Sequence, residues 1–325
     1  IWWAWMNFTW FASAFDTDDW FYRTLTLIQM AGVLVLAVGI GPLAARGDFR
    51  TVVAGYVIMR LALVTQWLRA SRGHPGLRRT ALRYAAGVIV CQILWVAFLW
   101  LPAEFVLPAW AILVLCELAV PIWAERAAQT TWHADHITDR YGSFTLIVLG
   151  ESVLASTTAV AGALEGGRHI VELALIGFSA LALAAGMWWI YFAADVAGRL
   201  NSLGRALRFG YGHYAVFAAA GAFSSGISVL LDCESGDDCA IDATGPASVS
   251  AAAMLTVPVA VFVFGVWALI LRHRLRGATR AAVPIAAALI AACALLPWSI
   301  VWAAAILAAT VALVERARGP ERAPA

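Results

Sequence analysis

The chain alternates between long apolar runs and short polar turns, and the runs have the length of membrane-spanning helices. A span needs about 20 predominantly apolar residues. Ten stretches meet that requirement: roughly Tyr22–Leu43, Arg50–Ala70, Ala81–Leu101, Ala103–Trp123, Gly142–Leu164, Ile170–Ala194, Arg208–Leu231, Ser248–Leu271, Arg280–Pro297 and Trp298–Val314. Before them, "IWWAWMNFTWFASAF" is apolar for only about 15 residues and reads as most of a helix whose start is missing. The chain opens on Ile and shows no charged leader of a cleaved signal peptide. The pattern predicts an all-α, polytopic transmembrane bundle with about ten full spans and one partial N-terminal span.

Composition supports the bilayer as solvent. Hydrophobic residues make up 62%, charged residues 13%, and the mean hydropathy is +0.81. A water-soluble domain of this length does not carry that balance. A net charge of +2 gives no reason to expect nucleic acid as a partner. All 22 basic residues are arginines, and their placement says more than their sum. With the C-terminus inside, the inner loops collect Arg69, Arg72, Arg78, Arg79 and Arg83, then Arg126 and Arg140, then Arg199, Arg205 and Arg208, then Arg272, Arg274, Arg276 and Arg280. The outer loops keep Arg46, Arg50 and Arg168. Basic residues of short loops stay on the cytoplasmic side, so the asymmetry predicts a cytoplasmic C-terminus and an external residue 1.

Cys91, Cys116 and Cys293 fall inside apolar runs as small hydrophobes, whereas Cys233 and Cys239 lie in the acidic outer loop "LDCESGDDCAIDATG". An oxidising exterior would allow those two to form a disulfide; free thiols are the alternative. "MWWIYFAADV" (187–196) echoes "IWWAWMNFTW" (1–10) six helices earlier, which suggests two parallel six-helix repeats, although paired tryptophans also suit the membrane interface. The corresponding domain expectation is a first membrane repeat at 1–124, a cytoplasmic linker at 125–141, a second repeat at 142–315 and a tail at 316–325.

"WWAWMNFTWFASAFDTDDWFYRTLTLIQMAGVLVLAVGI" and "RYGSFTLIVLGESVLAS", followed by "WWIYF", resemble the bacterial low-temperature-requirement A family of integral membrane proteins. The likeness is most specific at Trp2, Trp3, Phe15, Asp16, Asp18, Asp19, Gln29, Met30 and the triplet Gly150-Glu151-Ser152. Family members begin with a helix containing a Phe-Phe-Asp motif that this chain lacks. The resemblance therefore implies a twelve-helix parent with both termini inside, resident in the bacterial inner membrane. It implies no settled biochemical activity.

Intramembrane polar residues locate any chemistry. Glu151 lies about ten residues from either end of its span, where a charged carboxylate costs on the order of 2.5–3.5 kcal/mol. Protonation, water or a cation can offset that cost, and Arg60, at similar depth, is the sharpest partner to expect. Glu117 is a second candidate partner or relay near Pro121. Ser152, with Gly150 and Ser156, suits close helix approach, and buried helix-packing staple is the competing role for Glu151. Gln29, Gln66 and Gln92 read as bridges between helices. His213 reads as an interfacial residue close to the inner end of its span.

"TWHADHITDRYG" places His133, His136 and Asp139 at helical spacing, but one short run is too few constraints for a metal site, and a solvated turn is the expectation. His136, Asp139 and Arg140 coincide with a polar segment that the resembled family carries just before this helix, so the resemblance implies a helix-positioning or gating role. Asp16, Asp18 and Asp19 in "FDTDDW" are expected to cap the next helix and pair with arginines rather than to recruit a cation. Familiar phosphate, zinc, nucleophile and redox motifs are absent, and nothing calls for a cofactor. The expected partners are the lipid bilayer and an ion or small solute, with a homo-oligomer left open. A transporter or channel is the leading functional reading. A non-transporting scaffold or stress-adaptation factor and a membrane-embedded lipid-active enzyme are the alternatives.

Overall fold

The computed structural model describes residues 1–165, 170–235 and 247–318. Among them are eleven α-helices and no strand: α1 Trp2–Phe15, α2 Trp20–Arg46, α3 Arg50–Gly73, α4 Arg78–Phe98, α5 Ala103–Glu125, α6 Ala134–Glu165, α7 Ile170–Phe192, α8 Leu203–Ser235, α9 Ala247–Leu269, α10 Gly277–Ala292 and α11 Ser299–Arg318. Each of the ten spans read from sequence falls on one of α2 to α11. Among the described residues eight helices are long and apolar enough to cross a membrane: α2 to α5, α7 and α9 to α11. The other two expected spans lie on α6 and α8, which both end where the described residues end.

The chain divides into two compact units, Ile1–His133 and Ala134–Ala325. The division falls inside the stretch read from sequence as a linker. Part of that stretch is helix, not a turn: α6 starts at Ala134, and Ile137 and Tyr141 are fully buried. Their four-residue spacing continues the apolar stripe of the span, so the helix runs through His136, Asp139 and Arg140.

In the first unit α2 packs on α3, α3 on α4 and α4 on α5, with α1 beside α3. Gly47 closes α2 in the left-handed region (φ 67°), and its N–H donates to the Leu43 carbonyl at 2.9 Å. Only glycine takes that conformation without strain. Toward the end that carries the Asp-rich turn, Trp67 of α3 stacks on Tyr84 of α4 at 4.0 Å, and Phe11 and Phe15 of α1 meet Trp67 edge-on. In the second unit α8 packs on α9, α9 on α10, α10 on α11 and α11 on α7, while α6 lies against α7 and α8.

Candidate functional site

Among the described residues the largest fully buried side chain is charged. Arg60, midway along α3, is 1% exposed. Its Nη2 donates to Glu117 Oε2 of α5 at 2.9 Å and to the Tyr56 hydroxyl, one turn earlier on α3, at 2.6 Å. The guanidinium also sits 4.8 Å from the Tyr56 ring centroid and 5.8 Å from that of Trp3. Glu117 accepts two more bonds, from Trp3 Nε1 of α1 at 3.1 Å and from Gln92 Nε2 of α4 at 3.1 Å. Four helices of the first unit thus converge on one ion pair. A charged pair in an apolar interior is stable only when remaining donors and acceptors are also engaged. Here the carboxylate is well served and the guanidinium is not: Arg60 Nε and Nη1 and Gln92 Oε1 are buried with no hydrogen-bond partner.

This arrangement corrects the expected pairing of Arg60 with Glu151, since the guanidinium is committed to Glu117. Glu151 occupies an exposed position on α6, flanked by Ile147 and Leu154, which are 69% and 60% exposed. Gly150 is also open, with no atom within 4 Å of where a Cβ would lie. Ser152, the next residue, falls on the buried face. It is fully buried with its Oγ unpartnered, and its carbonyl accepts from Ser156 Oγ at 2.7 Å.

His213 is fully buried in the second unit, which corrects its expected interfacial place. Its Nδ1 lies 2.7 Å from the Phe209 carbonyl and its Nε2 lies 3.0 Å from the Tyr191 hydroxyl. One tautomer satisfies both contacts: Nδ1–H donates to the carbonyl, and Nε2 accepts from the tyrosine. The rings of Phe209, Tyr141 and Phe217 surround the imidazole at 4.2, 4.9 and 5.4 Å and bury it.

The Asp-rich turn before α2 caps and pairs. Asp16 Oδ1 accepts from the Asp18 amide at 3.3 Å, and Asp18 pairs with Arg23 at 2.9 Å. Asp19 is the N-cap of α2, accepting from the Tyr22 amide at 2.9 Å, and both its oxygens also accept from Arg69 of α3. The Arg69 hydrogen bond, with the Tyr22 amide behind it, pulls the Asp19 carboxyl down from 3.8 to about 2. A depressed carboxylate contributes stability that is present above its unfolded pKa and lost as pH falls through its folded one. The melting temperature in detergent is therefore expected to fall as pH drops from about 4 toward 2, and Asp19→Asn is expected to remove that part of the slope. An unchanged slope in Asp19→Asn would assign it to other carboxylates.

His136 and Asp139 are exposed and Arg140 half-buried on the first turns of α6, while His133 closes the first unit. Cys91, Cys116 and Cys293 are free thiols inside helices. Cys239 and the side chain of Cys233 lie outside the described residues, and with them the expected disulfide.

The family model described as "Bacterial low temperature requirement A protein (LtrA)" matches residues 1–315. The chain belongs to the LtrA family. No curated protein and no solved structure matches it. In this LtrA chain Arg60 and Glu117 stand out in sequence as ionisable residues within apolar runs and Gln92 as a helix bridge, whereas Tyr56 and the indole N–H of Trp3 are partners found only in the structure. The signal for Tyr56 was available: it lies four residues before Arg60, so the two share a helix face.

Proposed function

We propose that this LtrA-family protein moves an ion or small solute across the membrane, with Arg60 and Glu117 as the polar centre of the path in the first unit. The observation that carries the reading is the half-satisfied guanidinium: two buried nitrogens of Arg60, Nε and Nη1, lack an acceptor while the partner carboxylate accepts from three side chains. Such a fork presents donors to a carboxylate, phosphate or carbonyl oxygen arriving from either side. Ionisable residues at depth in a membrane protein mark such pathways more often than chance.

We further infer that the two units are repeats of one helix series. The support is a common packing order: α2, α3, α4 and α5 are neighbours in sequence as are α8, α9, α10 and α11, with α1 beside α3 and α7 beside α9. The last helix of each series also supplies a glutamate to a tryptophan: Trp3 donates to Glu117 and Trp189 to Glu315. The arginine asymmetry favours a cytoplasmic C-terminus in the inner membrane. Transporters built from repeats commonly place their sites at depth among the repeated helices.

The three donors that converge on the carboxylate from α1, α3 and α4 favour a second reading, in which the cluster is a staple for α1, α3, α4 and α5 and nothing moves. Flux of protons, alkali cations and small carboxylates in proteoliposomes separates the two. The double variant Arg60→Met/Glu117→Leu removes both charges together, so no buried charge is stranded. Flux lost in that variant at a melting temperature close to that of the wild type is the expected outcome, with Glu151→Gln still active. Flux retained by the double variant, or no flux in the wild type, would leave the staple.

A further inference from the structure

The second unit has a basic pocket at the end where α7 hands over to α8 and α9 to α10. Four guanidinium-bearing residues, Arg199, Arg205, Arg208 and Arg272, line a cavity of about 110 Å³ together with His273. A water occupies about 30 Å³ in the liquid, so the space suits a compact polar group rather than one solvent molecule. Leu200 and Phe209 give it an apolar wall.

Among the described residues no carboxylate forms an ion pair with these arginines. Among the described residues the ion pairs are Arg23 with Asp18, Arg60 with Glu117 and Arg69 with Asp19, all in the first unit. The contacts made by the pocket's own cations are to neutral groups: Arg205 Nε donates to Ser202 Oγ at 3.1 Å, and Arg272 Nε donates to His273 Nε2 at 3.0 Å. Two acidic side chains at the same helix ends are already engaged, Asp195 with the Ala197 amide at 2.9 Å and Glu315 with Trp189 at 2.9 Å. His273 stands between α9 and α10. Desolvation first, and then the converging field of Arg199, Arg272, Arg280 and Arg208, hold its imidazole below the ordinary range. It is thus a neutral acceptor toward Arg272 and adds no cation. Arg205, in the first turn of α8, sits at the positive end of the helix dipole, where an anion and not a cation is favoured.

We propose that this pocket binds a phosphate group, carried either by the headgroup of an anionic phospholipid or by a soluble phosphate. Guanidinium forks match phosphate oxygens in paired hydrogen bonds. Basic pockets between helix ends on the cytoplasmic side, where the arginine pattern puts this one, are where lipid phosphates lie. The proposal stands apart from the Arg60–Glu117 site, since it uses other residues of the other unit.

The test uses the full chain purified in neutral detergent, with binding followed by native mass spectrometry and by melting temperature. Phosphatidylglycerol, phosphatidylcholine and inorganic phosphate are the probes. Phosphatidylglycerol is expected to bind and to raise the melting temperature over phosphatidylcholine. Arg199→Gln and Arg272→Gln are each expected to weaken that binding about tenfold, the scale of one charge-assisted contact, with Arg46→Gln, in the first unit, unchanged. Arginine-dependent binding of inorganic phosphate without lipid preference would assign the site to a soluble phosphate. Should the half-buried Arg199 and Arg272 variants melt early without lipid, Arg205→Gln, which is exposed, carries the same comparison. Binding of both probes that is equal in wild type and variants, or absent, overturns the proposal.

Discussion

Glu117→Leu, with Arg60 left in place, is expected to destabilise the protein by about 3–5 kcal/mol, the cost of stranding a buried charge. The guanidinium would keep only the Tyr56 hydroxyl as a hydrogen-bond partner, in a position 1% exposed to solvent. Arg60→Met is expected to cost less. The carboxylate left behind still has Trp3 and Gln92 as donors, and it can take up a proton to become neutral, an escape that arginine does not have. The double variant Arg60→Met/Glu117→Leu is expected to recover most of the loss, because two apolar side chains of similar size replace a pair whose desolvation roughly cancels its attraction. Melting temperatures of the four proteins in one detergent complete the cycle. A double variant that melts as low as Glu117→Leu would show that the site depends on shape at these positions rather than on stranded charge.

The two members of this pair were visible in sequence as ionisable residues inside apolar runs, but their pairing was not. Hydropathy gives depth along a span and says nothing about which spans are neighbours. Here connectivity decides it. α3, α4 and α5 follow one another through short turns and pack in that order, so α3 and α5 run the same way on either side of α4. Arg60 lies ten residues beyond the start of α3 and Glu117 fourteen beyond the start of α5. At 1.5 Å per residue that is an offset of about 6 Å, within reach of an arginine side chain. Glu151 matched Arg60 in depth too, and depth alone could not rank the two carboxylates.

The face on which Glu151 lies was readable with a finer look at period. Ile137, Tyr141, Thr145, Leu149, Ser152 and Ser156 are all buried, at steps of four, four, four, three and four residues, and they form one continuous stripe along α6. Glu151 precedes Ser152 by a single residue, about 100° around the helix, and so falls off the stripe beside Ile147 and Leu154. The small and hydroxylic residues correctly marked α6 as a packing helix. The error lay in assigning their buried side to the glutamate between them. His213 failed for a related reason: its position near a span end suggested headgroups, whereas the aromatic rings that enclose it come from α6 as well as α8 and could not be counted from its own segment.

Glycine substitutions are expected to grade the tightness of helix contacts, with the largest loss where the obstacle is backbone. A Cβ at Gly55 of α3 would stand 2.4 Å from the Leu36 amide nitrogen and 2.6 Å from the Gly32 carbonyl of α2. A Cβ at Gly226 of α8 would stand 2.4 Å from the Met254 carbonyl of α9. Neither neighbour can rotate away, so Gly55→Ala and Gly226→Ala must push whole helices apart and are expected to cost at least the about 1–3 kcal/mol of an overpacked core. Gly186→Ala of α7 meets only the Leu307 side chain, at 2.8 Å, and a change of rotamer can relieve it at lower cost. Gly41→Ala of α2 meets nothing and is expected to be neutral or to raise the melting temperature, since alanine favours helix over glycine by about 0.8–1.0 kcal/mol. Melting temperatures that fall in the order Gly41, Gly186, then Gly55 and Gly226 would mean that α2 against α3 and α8 against α9 are the fixed contacts of their units. An equal drop at all four positions would show instead that glycine matters here through backbone freedom, with close helix approach playing no part.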